Sequence, residues 1–148
     1  MIKLHPQLEN DCFVLGEFEL CTLLLLNDAS YPWFILLPGR EDISETHQLS
    51  ESEQQQLLRE SMYFSHCLEQ VFRPDKLNIA PLGNIVPQLH IHHIARFKTD
   101  ACWPAPVWGA GNAVTYEKAQ LVQLKEKLFN WFEHNPQQSF QQTAASGK

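Results

Sequence analysis

Positive charge is scarce in this chain: 11 Lys and Arg stand against 17 Asp and Glu, a formal net charge of −6 over 148 residues. No Lys/Arg-rich face is available to displace counterions from a nucleic-acid backbone, so nucleic acid is not an expected partner. A small anion needs only a few local donors, which backbone N–H groups, histidines and one arginine can supply. Paired cysteines are also missing. Cys12, Cys21, Cys67 and Cys102 lie far apart with no CxxC among them, which suggests buried free thiols rather than a disulfide framework or a zinc ribbon. No stretch approaches the roughly 18 apolar residues of a membrane span. The opening MIKLHPQLEN has no apolar run behind a basic flank, so a cytoplasmic protein without membrane contact is expected.

What the chain does have is 44% hydrophobic and 19% charged residues, the balance of one ordinary globular domain. We place that domain at residues 1–135 and read 136–148, which include QQSFQQTAASGK, as a flexible tail. Residues 11–26 read as a hairpin of two apolar strands around a Gly16 turn, the leucine-rich second strand being buried on both faces. Trp33 to Leu37 resumes as a strand until Pro38 and Gly39 stop it. From Ser50 the period changes. Ser50 with Glu53 makes a capping box ahead of Leu57, Leu58, Met62, Leu68, Val71 and Phe72, a helix that ends near Pro74. Lys76 to Ala80 and Leu89 to Phe97 are strand candidates, and Tyr116 to Glu133 is a second helix. The order predicts an α+β domain with a mostly antiparallel five-stranded sheet and two main helices.

The chemistry concentrates in PQLHIHHIAR. On a strand, Gln88, His90 and His92 share one face while Leu89, Ile91 and His93 take the other. Same-face neighbours sit roughly 6 to 7 Å apart, so both imidazoles can meet one phosphate-sized group. A neutral imidazole can attack phosphorus if its other nitrogen donates to a carbonyl, and a second imidazole can bind or protonate the departing oxygen. A zinc site at His90 and His92 is the competing reading, but it needs a carboxylate or cysteine from outside the segment. Neither a metal nor a cofactor is therefore expected. Trp103 and Trp108 could stack on a base or simply pack on the domain. Arg96 could bind phosphate or serve a salt bridge. His5, His47, His66 and His134 read as surface or helix histidines.

The run NIAPLGNIVPQLHIHHIAR resembles the signature of the histidine triad (HIT) family, and LLLLNDASYPWFILLPGRE resembles that family's earlier strand-loop-strand element. The resemblance spans roughly residues 10 to 100 and implies a HIT-like fold, a homodimer and a small nucleotide substrate. It implies hydrolysis or transfer at the α-phosphate of a nucleoside phosphoramidate, dinucleoside polyphosphate or nucleotide conjugate, through a nucleotidyl-histidine. Residue by residue it makes His90 the nucleophile and puts His92 at the phosphate and leaving group. Asn78, Gly83, Asn84 and Arg96 fall on matching positions around the substrate, and Asn27 and Asp28 lie in the loop near ribose and base. Two positions depart from the pattern. The first triad position holds Gln88, which cannot shuttle a proton but can orient His90 by hydrogen bonding. Ile85 replaces a serine that meets the leaving group. A nucleotide-binding module with little turnover is the alternative that these two departures leave open.

Overall fold

The computed structural model describes residues 1–144. It contains six antiparallel strands, β1 (Cys12–Glu17), β2 (Cys21–Leu26), β3 (Trp33–Pro38), β4 (Lys76–Ala80), β5 (Ile91–Arg96) and β6 (Gln141–Gln142). They lie in the order β4-β5-β3-β2-β1-β6. Three α-helices, α1 (Pro6–Asp11), α2 (Glu51–Phe72) and α3 (Lys118–His134), and a short 3-10 helix (Thr46–Gln48) accompany them. The expected α+β class and the two main helices are present, but the sheet has six strands rather than five.

The sixth strand comes from the segment read as a tail. Gln141 and Gln142 pair with Glu17 and Gly16 on β1, and the Phe140 ring lies 4.5 Å from Phe132 and 4.9 Å from Phe18. One aromatic in an otherwise polar stretch supplies the anchor, and it has no periodicity to announce it. The end of the expected tail, residues 145–148, lies outside the described residues.

The first hairpin also turns later than expected. Gly16 is inside β1, at a bulge where the register with β2 shifts, and a Cβ there would collide with Phe140 and Gln141. The turn itself spans residues 18–20 and is held by the buried Glu60 of α2, whose carboxylate accepts from Leu20 N at 2.7 Å and Cys21 N at 3.0 Å. A glycine in an apolar run marks close backbone approach as readily as a turn.

Helix α2 begins as its sequence dictates, with the Ser50 hydroxyl accepting from Glu53 N and the Glu53 carboxylate accepting from Ser50 N. It ends at Arg73, which adopts a left-handed conformation just before Pro74. Its apolar side, with that of α3, covers one face of the sheet: Phe64, Leu68, Leu128 and Phe132 pack against Leu23, Leu25, Phe34 and Leu36. The other face carries Leu24, Ile35 and Leu37, which are covered by Leu4, Leu8 and Val86. β2 is thus buried on both sides, as its unbroken leucine run requires. That second face also carries the histidines.

Candidate active site

Strand alternation distributes the β5 side chains. His93 points into the helical core, where Nδ1–H donates to Ile91 O and Nε2 accepts from the Ser61 hydroxyl at 2.7 Å. Burial drives its pKa down to about 4. His90 and His92 share the opposite face, with ring centroids 4.9 Å apart.

The partners of these two rings settle their tautomers. His90 Nδ1 lies 2.6 Å from Gln88 O; a carbonyl only accepts, so Nδ1 carries the proton and the Nε2 lone pair is free. Burial lowers the His90 pKa, the Gln88 carbonyl partly opposes this, and the charge of nearby His5 lowers it further. His90 is therefore a neutral imidazole near pH 7, presenting an unprotonated nitrogen. His92 is held at both ends: the Trp33 indole N–H donates to its Nδ1 at 2.9 Å, and its Nε2–H donates to Leu82 O at 3.0 Å. Burial first, then the neighbouring His90, bring its pKa down to about 4.

The loop between β4 and β5 wraps this pair. At Gly83 a Cβ would sit 2.7 Å from Val86 O and 3.4 Å from the His90 ring, so only glycine lets the loop lie this close to the imidazole. Asn84 and Ile85 follow on the surface, Ile85 being 87% exposed. Gln88 does not reach the His90 ring with its side chain. Its Oε1 accepts from His5 N at 2.8 Å and its Nε2 donates to Lys3 O at 3.0 Å. The expected orienting role thus belongs to the Gln88 backbone carbonyl, and its amide ties down the N-terminal segment.

Other residues singled out from sequence cluster elsewhere. Arg96, read as a phosphate donor or a salt-bridge residue, is 1% exposed. It donates to Asp100 Oδ2 (2.9 Å), Asn78 Oδ1 (2.9 Å) and Ala105 O (2.8 Å). Its charge is thereby satisfied within the fold, and it pins the loop after β5 to the sheet; Asn78 is its partner. Asp28 accepts from Ser30 N and Val114 N, and Asn27 accepts from Tyr116 N. Both are tied to the segment that precedes α3. Trp103 lies over Arg96 at 5.7 Å, whereas Trp108 meets His92 and Trp33 edge-on at 5.2 and 5.8 Å. Both tryptophans therefore pack on the domain. Two participants were missed: Trp33, read only as a strand residue, and His5, read as a surface histidine. The one signal for His5 was its position before Pro6, where it caps α1 by accepting from Gln7 N.

Among the described residues no group of three or more His, Cys, Asp or Glu side chains is arranged to hold a metal ion. Cys21, Cys67 and Cys102 are free thiols, and no helix among the described residues is long and apolar enough to cross a membrane.

Similarity to known proteins accords with this geometry. The sequence profile of the HIT domain matches residues 7–99. The chain belongs to the HIT domain family. Among solved HIT proteins it resembles a histidine triad protein from Marinobacter aquaeolei VT8 at 45% identity, covering 90% of this chain and 98% of that one with a TM-score of 0.86. It also resembles one from Bradyrhizobium japonicum at 40% identity, covering 87% and 96% with a TM-score of 0.85. A third, from Sinorhizobium meliloti 1021, is 37% identical, covers 88% and 96%, and has a TM-score of 0.85. No curated protein matches the chain.

Proposed function

We propose that this HIT protein is a nucleotidyl hydrolase or transferase that cleaves at the α-phosphate of a nucleotide derivative, with His90 as its nucleophile. The observation that carries this reading is the 2.6 Å bond from His90 Nδ1–H to Gln88 O, which leaves Nε2 unprotonated. Nε2 forms a bond to phosphorus as the bond from phosphorus to the leaving group breaks, and that group departs with the electron pair and a proton drawn from solvent. Water then attacks the nucleotidyl-imidazole, the P–N bond breaks with its pair returning to Nε2, and the nucleoside monophosphate leaves while the proton of the water passes to solvent.

In this scheme the backbone around Gly83 and Asn84 cradles the phosphate, and His92 offers Nε2–H to an oxyanion in exchange for Leu82 O. Asn27 and Asp28 serve the ribose end. Asn78 and Arg96 act at one remove by holding the sheet and its following loop. The same reading implies a homodimer, favoured by the edge position of β4 and by exposed Leu58, Met62 and Ile79; sedimentation at two concentrations tests it.

Incubation with mixed nucleotide conjugates followed by mass spectrometry should find a nucleotidyl adduct on His90. His90→Ala should abolish nucleoside monophosphate release while nucleotide binding persists. Unchanged turnover in that variant would remove the nucleophile assignment. A binding module with little turnover is the second reading, favoured because the Gln88 amide is committed to Lys3 and His5. Nucleotide binding with no turnover across a varied conjugate panel would select it.

A further inference from the structure

A groove of about 590 Å³ lies at Gln88, two residues before His90 in the chain, and is also lined by Lys3, His5, Glu41, Asp42 and Pro87 among others. Its N-terminal wall is moored at two points. The Gln88 amide grips Lys3 O and His5 N, and Leu4 packs with Val86, whose carbonyl abuts Gly83 in the loop around His90. The His5 imidazole is close enough for its charge to act on His90. Because His5 Nδ1 accepts from Gln7 N, a neutral His5 carries its proton on Nε2, as a donor.

The sheet sets the direction of this groove. Trp33 pairs with Ile94 at one end of β5, and Leu25 pairs with Phe34, so the Asn27–Asp28 loop lies at the Ile94 end. Residues 41–44 follow the other end of β3, beside Gln88. A phosphate at His90 would have the nucleoside on one side and this groove on the other.

The groove does not suit a polyphosphate. Lys3 is its one cation of fixed charge, faced by Glu41 and Asp42, while Ile2, Leu4, Pro6, Ile43 and Pro87 supply apolar wall. Ile85, in the loop next to His90, adds a further exposed apolar side chain. Like charges opposing an anionic chain disfavour it, whereas apolar walls reward burial of an organic group.

We propose that the N-terminal segment, moored by Gln88, forms the leaving-group subsite, and that this subsite selects an apolar organic leaving group over a polyphosphate chain. The inference rests on the nucleotidyl-transfer reading of His90. The position that departs most from the family's triad thereby acquires a positioning role: Gln88 builds the wall that the leaving group touches. His5 Nε2–H provides one directional hydrogen bond in an otherwise apolar site.

The test compares adenosine 5′-phosphoramidate, its N-phenethyl derivative and diadenosine tetraphosphate as substrates. The phenethyl compound should have the highest kcat/KM, by about tenfold over the unsubstituted one, the scale at which a hydrophobic pocket discriminates. Gln88→Ala and Ile2→Asp should bring that ratio close to unity, whereas the control His66→Gln, on the exposed side of α2, should keep it. A wild-type preference for the tetraphosphate or for the unsubstituted compound would overturn the subsite, as would retention of the preference in Gln88→Ala. Affinities of the two phosphoramidates for His90→Asn protein, measured by calorimetry, need no turnover. Equal affinities there overturn the subsite even if the nucleophile assignment stands, and a phenethyl preference there supports it even if the nucleophile assignment falls.

Discussion

Acidification from pH 7.5 to 5.5 should destabilise this protein chiefly through two deeply buried imidazoles that the fold keeps neutral. His92 and His93 are 6% and 0% exposed, and burial holds both at a pKa of about 4, against an unfolded value of about 6.5. Between these values the unfolded chain binds protons that the native state refuses. Their contribution to stability is therefore complete above the unfolded value and is lost as pH falls toward the folded one. At pH 5.5 the linkage relation makes this loss roughly 1.3 kcal/mol per imidazole, or about 2.5 kcal/mol for the pair. Most carboxylates are still ionised at that pH, so histidine dominates the window. Urea unfolding at pH 7.5, 6.5 and 5.5 measures the slope, and His93→Gln isolates one contributor, since glutamine can still accept from the Ser61 hydroxyl. The variant will be less stable at pH 7.5 from lost packing, but its stability should fall by roughly 1.3 kcal/mol less than that of wild type over the window. A slope in His93→Gln equal to that of wild type would refute the claim that buried neutral His93 carries this pH dependence.

Three further perturbations test the framework around the site. Arg96→Leu should cost about 3–5 kcal/mol in urea unfolding, because it leaves the buried Asp100 carboxylate without its cation; a cost below 1 kcal/mol would point back to a role at the substrate. If the proposed phosphate site is right, Gly83→Ala should weaken binding of adenosine monophosphate by about tenfold in calorimetry, as the new Cβ pushes Val86 and the β4–β5 loop away from His90. Phe140→Ala should cost roughly 2 kcal/mol by removing the ring between Phe18 and Phe132, whereas a tail residue would cost nothing measurable.

The parts of this fold legible in sequence were those written in local physics. Ser50 and Glu53 marked the start of α2 because a capping box satisfies backbone donors within four residues. The unbroken leucines of β2 announced burial on both faces. The alternation in QLHIHHI separated His92 from His93, because the strand period alone dictates it, and His90 keeps that alternation just ahead of β5. What tertiary structure decided was which groups these side chains meet. Arg96 could be placed on a strand but not assigned to Asp100, Asn78 and Ala105, because that choice depends on how the loop after β5 folds back. Gly16 suggested a turn because its true constraint, the close approach of residues 140 and 141, comes from the far end of the chain. His92 needed Trp33, 59 residues away, to settle its tautomer. Gln88 could be recognised as a departure from the triad, yet its amide found Lys3 and His5 more than 80 residues away in sequence. Periodicity and capping act over a few residues and survive in the linear order; hydrogen-bond partners are chosen only when distant segments compete for the same buried space.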